Sequence, residues 1–492
     1  MLYERKRWRV GMNKKNNIST NVVWRMLERF SAKIVTFLVS LVLARLLDPA
    51  AYGTIALVTV FTTILEVFID SGLGNALIQK KDADNIDFST VFYFNMVMCS
   101  VLYIVMFFMA PYIADFYGND ELVAIIRVLS LTLIISGAKN IIHSYIFKNM
   151  QFRKFFFATL IGTCVSAVVG LTMAFMGFGV WALVAQPLVN YIIDTVILWI
   201  NVDWRPERTF SFSRFKVLFS YGWKILVAKL VNVTYVKSRD MIIGKMYSSE
   251  DLAYFNRGDA FPSMIVPNIT ASVDGVLFPA MANEQEDKKR IKELVKKSTQ
   301  VSSYLIIPAM VGLIACGEPL IRVLLTEKWI SCVPYMNMFC LVYAFYPFSI
   351  SNLNAIRALG HSKIILKLEI IERIFSIILL LMTIKMGVFW IGISYLIGEL
   401  FSTVLCALPC KKLINYGFVQ QIIDLLPLIF ISSIMGLLVY MIQYLGFSDL
   451  VTLMIQVPLG VAVFLILSWI FKIYAFNFFI NILKRKLAKS HD

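Results

Sequence analysis

Arg25, Glu28, Arg29 and Lys33 stand at i, i+3, i+4 and i+8, which places four ionisable side chains on one face of a helix. Lys229, Asn232, Lys237 and Asp240 make a similar face, and Arg257, Asp259 and Asp274 follow with Pro262 and Pro267 among them. All of these sit in or beside long apolar runs. A Lys, Arg or Asp at the centre of a membrane helix costs ~2.5–3.5 kcal/mol on insertion scales, a cost that a water-filled cavity removes. Arg29, Lys33, Lys229, Lys237 and Arg257 are therefore expected to line a cationic cavity suited to an anionic, phosphate-bearing cargo. Arg25, Glu28, Asn232 and Asp240 extend that set, although Arg25 lies near a helix end where snorkelling or pairing also serves. The prolines should break or kink their helix, which is tolerable only beside protein or a wet cavity. Glu66, Asp70, Asp194 and Glu399 are candidates for ion coupling, since a carboxylate inside a membrane is costly when charged. His143 reads as packing, and Glu372 as paired with a neighbour.

Other chemistries lack their residues. No GxxxxGK[ST] segment exists to hold ATP. His143, His361 and His491 are the only histidines and form no metal pattern with the cysteines. The seven cysteines lie mostly in apolar runs without a CxxC and read as small buried hydrophobes. No cofactor, metal site or catalytic constellation is expected, and the chain reads as a non-enzyme.

The elements that must carry these charges are long. Of 492 residues 59% are hydrophobic and only 16% charged, too apolar for a soluble core to bury. A span needs ~20 mostly apolar residues, and about fourteen candidates occur: 20–46, 52–78, 88–116, 121–147, 155–176, 178–200, 217–245, 251–281, 298–325, 331–357, 363–385, 387–410, 421–444 and 449–475. Backbone groups in lipid must bond within the segment, so the fold class is all-α and polytopic. With the N-terminus inside, Arg5–Lys15, Lys80–Lys81, Lys148–Lys154, Arg205–Lys216, Lys288–Lys297, Arg357–Lys363, Lys411–Lys412 and Lys484–Lys489 all fall on the cytoplasmic side. The outer loops hold only Lys328 and Lys385. The net charge of +16 is thus mostly topology rather than nucleic-acid binding, and both termini are expected in the cytoplasm.

An internal repeat organises the spans. Trp24-Arg25 recurs as Trp223-Lys224; Ala51-Tyr52 as Ala253-Tyr254; Asp70 and Ala76 as Asp274 and Ala280; Pro111 as Pro319; Met176-Gly177 and Trp181 as Met386-Gly387 and Trp390. Ordered matches at a slowly drifting offset imply two parallel six-helix repeats with a site between them. The expected organisation is a basic tail (1–19), an N-lobe (20–200), a cytoplasmic linker (201–216), a C-lobe (217–410), two accessory helices (421–475) and a second basic tail (476–492).

Leu43-Ala44-Arg45-Leu46-Leu47-Asp48-Pro49, Tyr52-Gly53 and Phe68-Ile69-Asp70-Ser71-Gly72-Leu73-Gly74-Asn75-Ala76-Leu77-Ile78-Gln79 resemble the opening of Wzx-like polysaccharide flippases. These belong to the multidrug/oligosaccharidyl-lipid/polysaccharide exporter superfamily, and the colanic-acid and teichuronic-acid exporters are the most similar branch. Gly177-Phe178-Gly179-Val180-Trp181-Ala182-Leu183, Tyr254-Phe255-Asn256-Arg257, Leu277-Phe278-Pro279-Ala280 and Glu327-Lys328-Trp329 also fit, over about residues 20–410. Phe255 departs from the family's Tyr-Asn-Arg spacing. The resemblance implies a V-shaped two-lobe bundle in a bacterial inner membrane. It also implies that an undecaprenyl-pyrophosphate-linked oligosaccharide is flipped from the cytoplasmic to the periplasmic leaflet, with Arg257 at a family-typical basic position. The expected partners are that lipid-linked anionic oligosaccharide, membrane lipids and a polysaccharide polymerase. A multidrug exporter of the same superfamily and a membrane-embedded glycan polymerase are the alternatives; the basic cavity disfavours cationic drugs, and the lack of a catalytic set disfavours the polymerase.

Overall fold

The computed structural model of the chain describes residues 18–69 and 72–488, which leaves Asp70 outside the described residues, along with the Arg29 side chain. Among the described residues the regular structure is helical, without strands. Two compact units divide the chain, residues 1–250 and 251–492. The division falls after the expected linker 201–216, so the helix expected to open the second lobe packs within the first unit.

The first unit contains α1 (Ile18–Leu46), α2 (Pro49–Ile69), α3 (Leu73–Gln79), α4 (Asn85–Tyr117), α5 (Glu121–Leu129), α6 (Leu131–Lys148), α7 (Phe152–Phe175), α8 (Val180–Asn201) and α9 (Phe212–Met246). α7 and α8 form an antiparallel hairpin, and α1 lies along it through Val39, Leu43 and Leu47 against Ala167, Ala174, Ala182 and Leu183. Small residues on the hairpin let the larger α1 side chains seat closely. α9 packs on α2, α3 and α4. Gly244 makes the α2 contact possible, since a Cβ there would come within 2.0 Å of Leu57 Cδ2. α9 bends by 47° between Phe212–Ser220 and Gly222–Met246. At that bend Gly72 (φ 69°) touches Gly222, whose carbonyl oxygen would lie 2.6 Å from any Cβ at position 72.

Residues 201–216 are held against the α3–α4 corner rather than crossing open space. Trp204 is buried among Phe88, Phe92 and Tyr145 and donates Nε1–H to Asn85 Oδ1 at 2.6 Å. The Glu207 N–H donates to Ser89 Oγ (2.9 Å) and the Ser211 N–H to Thr90 Oγ1 (3.1 Å). Asp84 and Asp87 form a capping box at the start of α4. Arg214 pairs with Asp84 and lies 3.5 Å from Asp87, which also takes Lys80 at 2.6 Å. Burial acts to raise the Asp84 carboxyl, but the Arg214 bond, the Asp87 N–H and the nearby Lys80 outweigh it and hold Asp84 below its ordinary value.

The second unit contains α10 (Ser249–Asn283, which begins at the boundary), α11 (Lys288–Ala315), α12 (Gly317–Leu325), α13 (Val333–Ala358), α14 (Ser362–Thr383), α15 (Val388–Ile414), α16 (Phe418–Met441), α17 (Asp449–Ile470) and α18 (Tyr474–Ala488). α13 runs between α11 and α15. Ser351 bonds Ser298 (2.9 Å) across the first contact, and Asn352 and Gln421 exchange amide hydrogen bonds of 3.0 and 2.8 Å with α16. α16 packs on α11 and α17 on α16. A break or kink is expected at the prolines; α10 is not broken and runs as one helix through Pro262, Pro267 and Pro279. Polar side chains bond back to carbonyls around the proline positions: Ser263 to Ala260, Asn268 to Met264 and Thr270 to Val266. They add bonds within the helix, although the carbonyls that lose their donor to proline are those of Gly258, Ser263 and Gly275.

Among the described residues eleven helical stretches are long and apolar enough to cross a membrane, and twelve if bent α9 is one span. A helix stands at each of the about fourteen expected positions. α1 and α14 fall outside this set because of their own charges: Arg25, Glu28, Arg29, Lys33 and Arg45 on the first, and Lys363, Lys367, Glu369, Glu372 and Arg373 on the second. Six cysteines are buried as expected, but Cys164 is exposed, because it lies on the outer side of α7, away from the α8 contact made by Thr163 and Ser166.

Candidate functional site: a polar cavity in the first unit

Three helices each bring a polar stripe to one place. α2 presents Thr63, Glu66 and Val67; α6 presents Ser136, Lys139, Asn140 and His143; α9 presents Lys229, Asn232 and Val233. Each set recurs at three or four residues, the spacing of a single helical face. With Ile69 and, from α8, Tyr191, they line a partly open cavity of about 440 Å³.

The wall is cross-braced. Tyr191 donates its hydroxyl hydrogen to Glu66 Oε1 at 3.0 Å and also bonds Ser136. Lys139 forms an ion pair with Asp194, which is 2% exposed, and its ammonium stands 5.3 Å from the Tyr191 ring centre. Asn140 Nδ2 donates to the Ile69 carbonyl at 2.7 Å, satisfying one of the orphan acceptors at the end of α2. His143 packs on the rings of Phe147 and Phe155, as expected, and lines the cavity as well. Its buried Nε2 has no hydrogen-bond partner among the described residues, nor has Asp194 Oδ1. A group entering the cavity therefore meets two ammonium ions, one carboxylate and several neutral donors and acceptors. That mixture suits a hydroxyl-rich ligand carrying negative charge better than an apolar one.

Of the residues expected from spacing, Glu66, Lys229 and Asn232 come together here. Lys237 instead pairs with Asp240 (2.8 Å) farther along α9. Arg25 pairs with Glu28 (2.6 Å) and lies over Phe147 and Phe155 at 4.8 and 5.2 Å. Lys33 is exposed on α1. Arg257 and Glu399 belong to the second unit: the Arg257 guanidinium stands 4.9 Å from the Trp329 ring, and Glu399 accepts a hydrogen bond from Ser349 at 3.2 Å. Glu372 takes the Ser402 hydroxyl at 2.7 Å. Lys139, Ser136, Asn140 and Tyr191 were not singled out in the sequence. The available signal was a lone lysine inside an apolar run, with a lone aspartate, Asp194, in the span that follows the next.

Residues 42–334, more than half of the chain, match the family described as polysaccharide biosynthesis protein. The chain belongs to this family. Among its relatives, the succinoglycan biosynthesis transport protein ExoT of Rhizobium meliloti is 25% identical over 66% of this chain and 66% of its own length. The teichuronic acid biosynthesis protein TuaB of Bacillus subtilis is 25% identical over 57% of this chain and 59% of its own. The chain thus matches between 59% and 66% of the length of these relatives. A solved structure of the lipid II flippase MurJ, in an inward closed conformation, superposes with a TM-score of 0.70 at 16% identity, covering 92% of this chain and 98% of that one. At that identity the likeness establishes a shared all-helical fold for this family member. It is a multi-span membrane protein.

Proposed function

We propose that the protein is a flippase. It moves undecaprenyl-pyrophosphate-linked oligosaccharide repeat units from the cytoplasmic to the periplasmic leaflet of a bacterial inner membrane, for surface polysaccharide synthesis. The observation that carries this reading is a polar cavity of mixed charge inside membrane-length helices, in a chain of the polysaccharide biosynthesis family. In this mechanism Lys229 and Lys139 draw the anionic part of the cargo into the cavity, while Asn232, Asn140, Ser136 and Tyr191 bond its hydroxyls. Arg29, Lys33, Lys237 and Arg257 provide further cationic stations, with Arg25, Glu28 and Asp240 setting their charge. Glu66, Asp70, Asp194 and Glu399 are the carboxylates available for ion coupling. Alternating access comes from rocking of two repeat-related lobes, 20–200 and 217–410. Both termini lie in the cytoplasm, on the side rich in Lys and Arg, and a polysaccharide polymerase receives the flipped unit.

A deletion strain is expected to accumulate lipid-linked precursor while polymerase remains present. Lys229→Ala and Arg257→Ala should express at the wild-type level and lower surface polymer, with the double variant lowest, by about tenfold if one charge-assisted contact per site is lost. Normal polymer in both single variants and in the double variant would remove the cationic stations. Absence of precursor accumulation on deletion would remove flipping itself.

A further inference from the structure

The segment 476–492, expected as a plain basic tail, begins as a helix, α18. It follows α17 after a short turn in which Lys472 adopts φ 50°. α17 has 22 residues, roughly 33 Å at ~1.5 Å per residue, enough to cross a hydrocarbon core of ~30 Å. α18 therefore starts at the edge of the bilayer. It does not leave that edge, because Ala475, Phe476 and Phe479 pack into the cluster formed by Tyr304 of α11 and Phe464 of α17. Phe479 and Phe464 both meet the Tyr304 ring, at centroid distances of 6.0 and 5.0 Å.

The opposite face of α18 is exposed and has two characters. Tyr474, Asn477, Phe478, Asn481 and Lys484 follow the i, i+3, i+4, i+7 pattern, so they lie on one side. Tyr474 and Phe478 are 41% and 40% exposed. The sequence adds Arg485 and Lys486, and α18 contains no acidic residue. Water penalises the exposed rings and hydrocarbon penalises the cations; the headgroup layer accommodates both. Other cations stand at the same end of the second unit. Lys296 of α11 bonds Asp424 near the start of α16 (2.6 Å), and Lys292 donates to the Asn415 carbonyl (2.8 Å). Because α16 and α17 run antiparallel, the start of one and the end of the other share a level.

We propose that α18 is a lipid-surface helix whose exposed Tyr474–Lys484 face seats among the headgroups of anionic phospholipids, with Lys472 and the Lys484-Arg485-Lys486 run providing the charge complement. This makes the leaflet's anionic lipid a binding partner of the second unit, separate from any cargo.

The test uses the purified full chain in nanodiscs of equimolar phosphatidylglycerol and phosphatidylcholine, with retained lipid quantified by native mass spectrometry. Wild type should retain phosphatidylglycerol over phosphatidylcholine. The variant Lys472→Gln/Lys484→Gln/Arg485→Gln/Lys486→Gln should lose that preference by about tenfold or more, and Lys484→Gln alone by up to about fivefold. Lys472→Arg/Lys484→Arg/Lys486→Arg should keep it, since charge rather than shape is read. Equal retention of the two lipids by wild type, or an undiminished preference in monodisperse Lys484→Gln and in the fourfold Gln variant, would overturn the proposal. The readout is independent of transport, so failure here leaves the flippase reading standing and the converse also holds.

Discussion

The two units handle intramembrane charge in different ways. In the first, charges meet one another across helices: Lys139 of α6 pairs with Asp194 of α8, beside a cavity that Glu66 and Lys229 also line. In the second, the ion pair described above, Lys296 with Asp424, is partly exposed, and several other charges have neutral groups among their partners. Arg257 lies over an indole, Glu399 and Glu372 take hydroxyls, and Asp259 takes the Tyr343 hydroxyl. A pair of opposite charges gains far more from a low-dielectric setting than a single charge with a hydroxyl does, and leaves a far larger debt of solvation if one member goes. The buried Lys139–Asp194 pair of the first unit is therefore where a single substitution should do most damage, beside a ligand-sized polar space.

That contrast can be broken most directly at Asp194. Asp194→Ala leaves Lys139 without its buried counter-ion, and the expected loss is about 3–5 kcal/mol of stability. Thermal unfolding in detergent would show it, and Lys139→Met/Asp194→Leu should recover most of it; a loss no larger than that of a hydroxyl would erase the distinction between the units. Next in size is Ser349→Ala in the second unit, which removes one donor from Glu399 and a contact to Thr403 (3.1 Å), for about 1–2 kcal/mol. The same unfolding assay ranks it, and an effect equal to that of Asp194→Ala would invert the comparison. Smallest is Arg214→Gln at the wetter α3–α4 corner, at most about 1 kcal/mol because both partners are partly exposed. Here pH sharpens the result. Asp84 is held below its ordinary value of 3.8, so its ionised form stabilises the fold fully above that value and the contribution fades as pH falls below it. The gap between wild type and Arg214→Gln should narrow in acid titrations; a gap that widens in acid would contradict the pairing.

Helix positions were legible because apolar length reports them directly, and a helix stands at each expected span. Helical faces were legible too: spacing placed Lys229 and Asn232 together, and both line the cavity. Partners were not. Periodicity says which residues share a face, but not which other helix that face meets, so it gives no sign that Lys139 and Asp194 pair. In α10 the prolines do not interrupt the helix, since each removes one donor from a ladder whose other bonds remain. The linker 201–216 read as a loop from its polarity, yet Trp204 ties it into a core. That single buried indole was visible in the sequence, but its destination, the Phe88–Phe92 face of α4, depends on tertiary packing.

One small contact bears on how such a chain can vary. Position 72 excludes a side chain twice over, by its left-handed backbone and by the Gly222 carbonyl 2.6 Å from where a Cβ would stand. Relieving either restriction leaves the other in force, so a larger residue at position 72 requires the turn and the bend of α9 to move together.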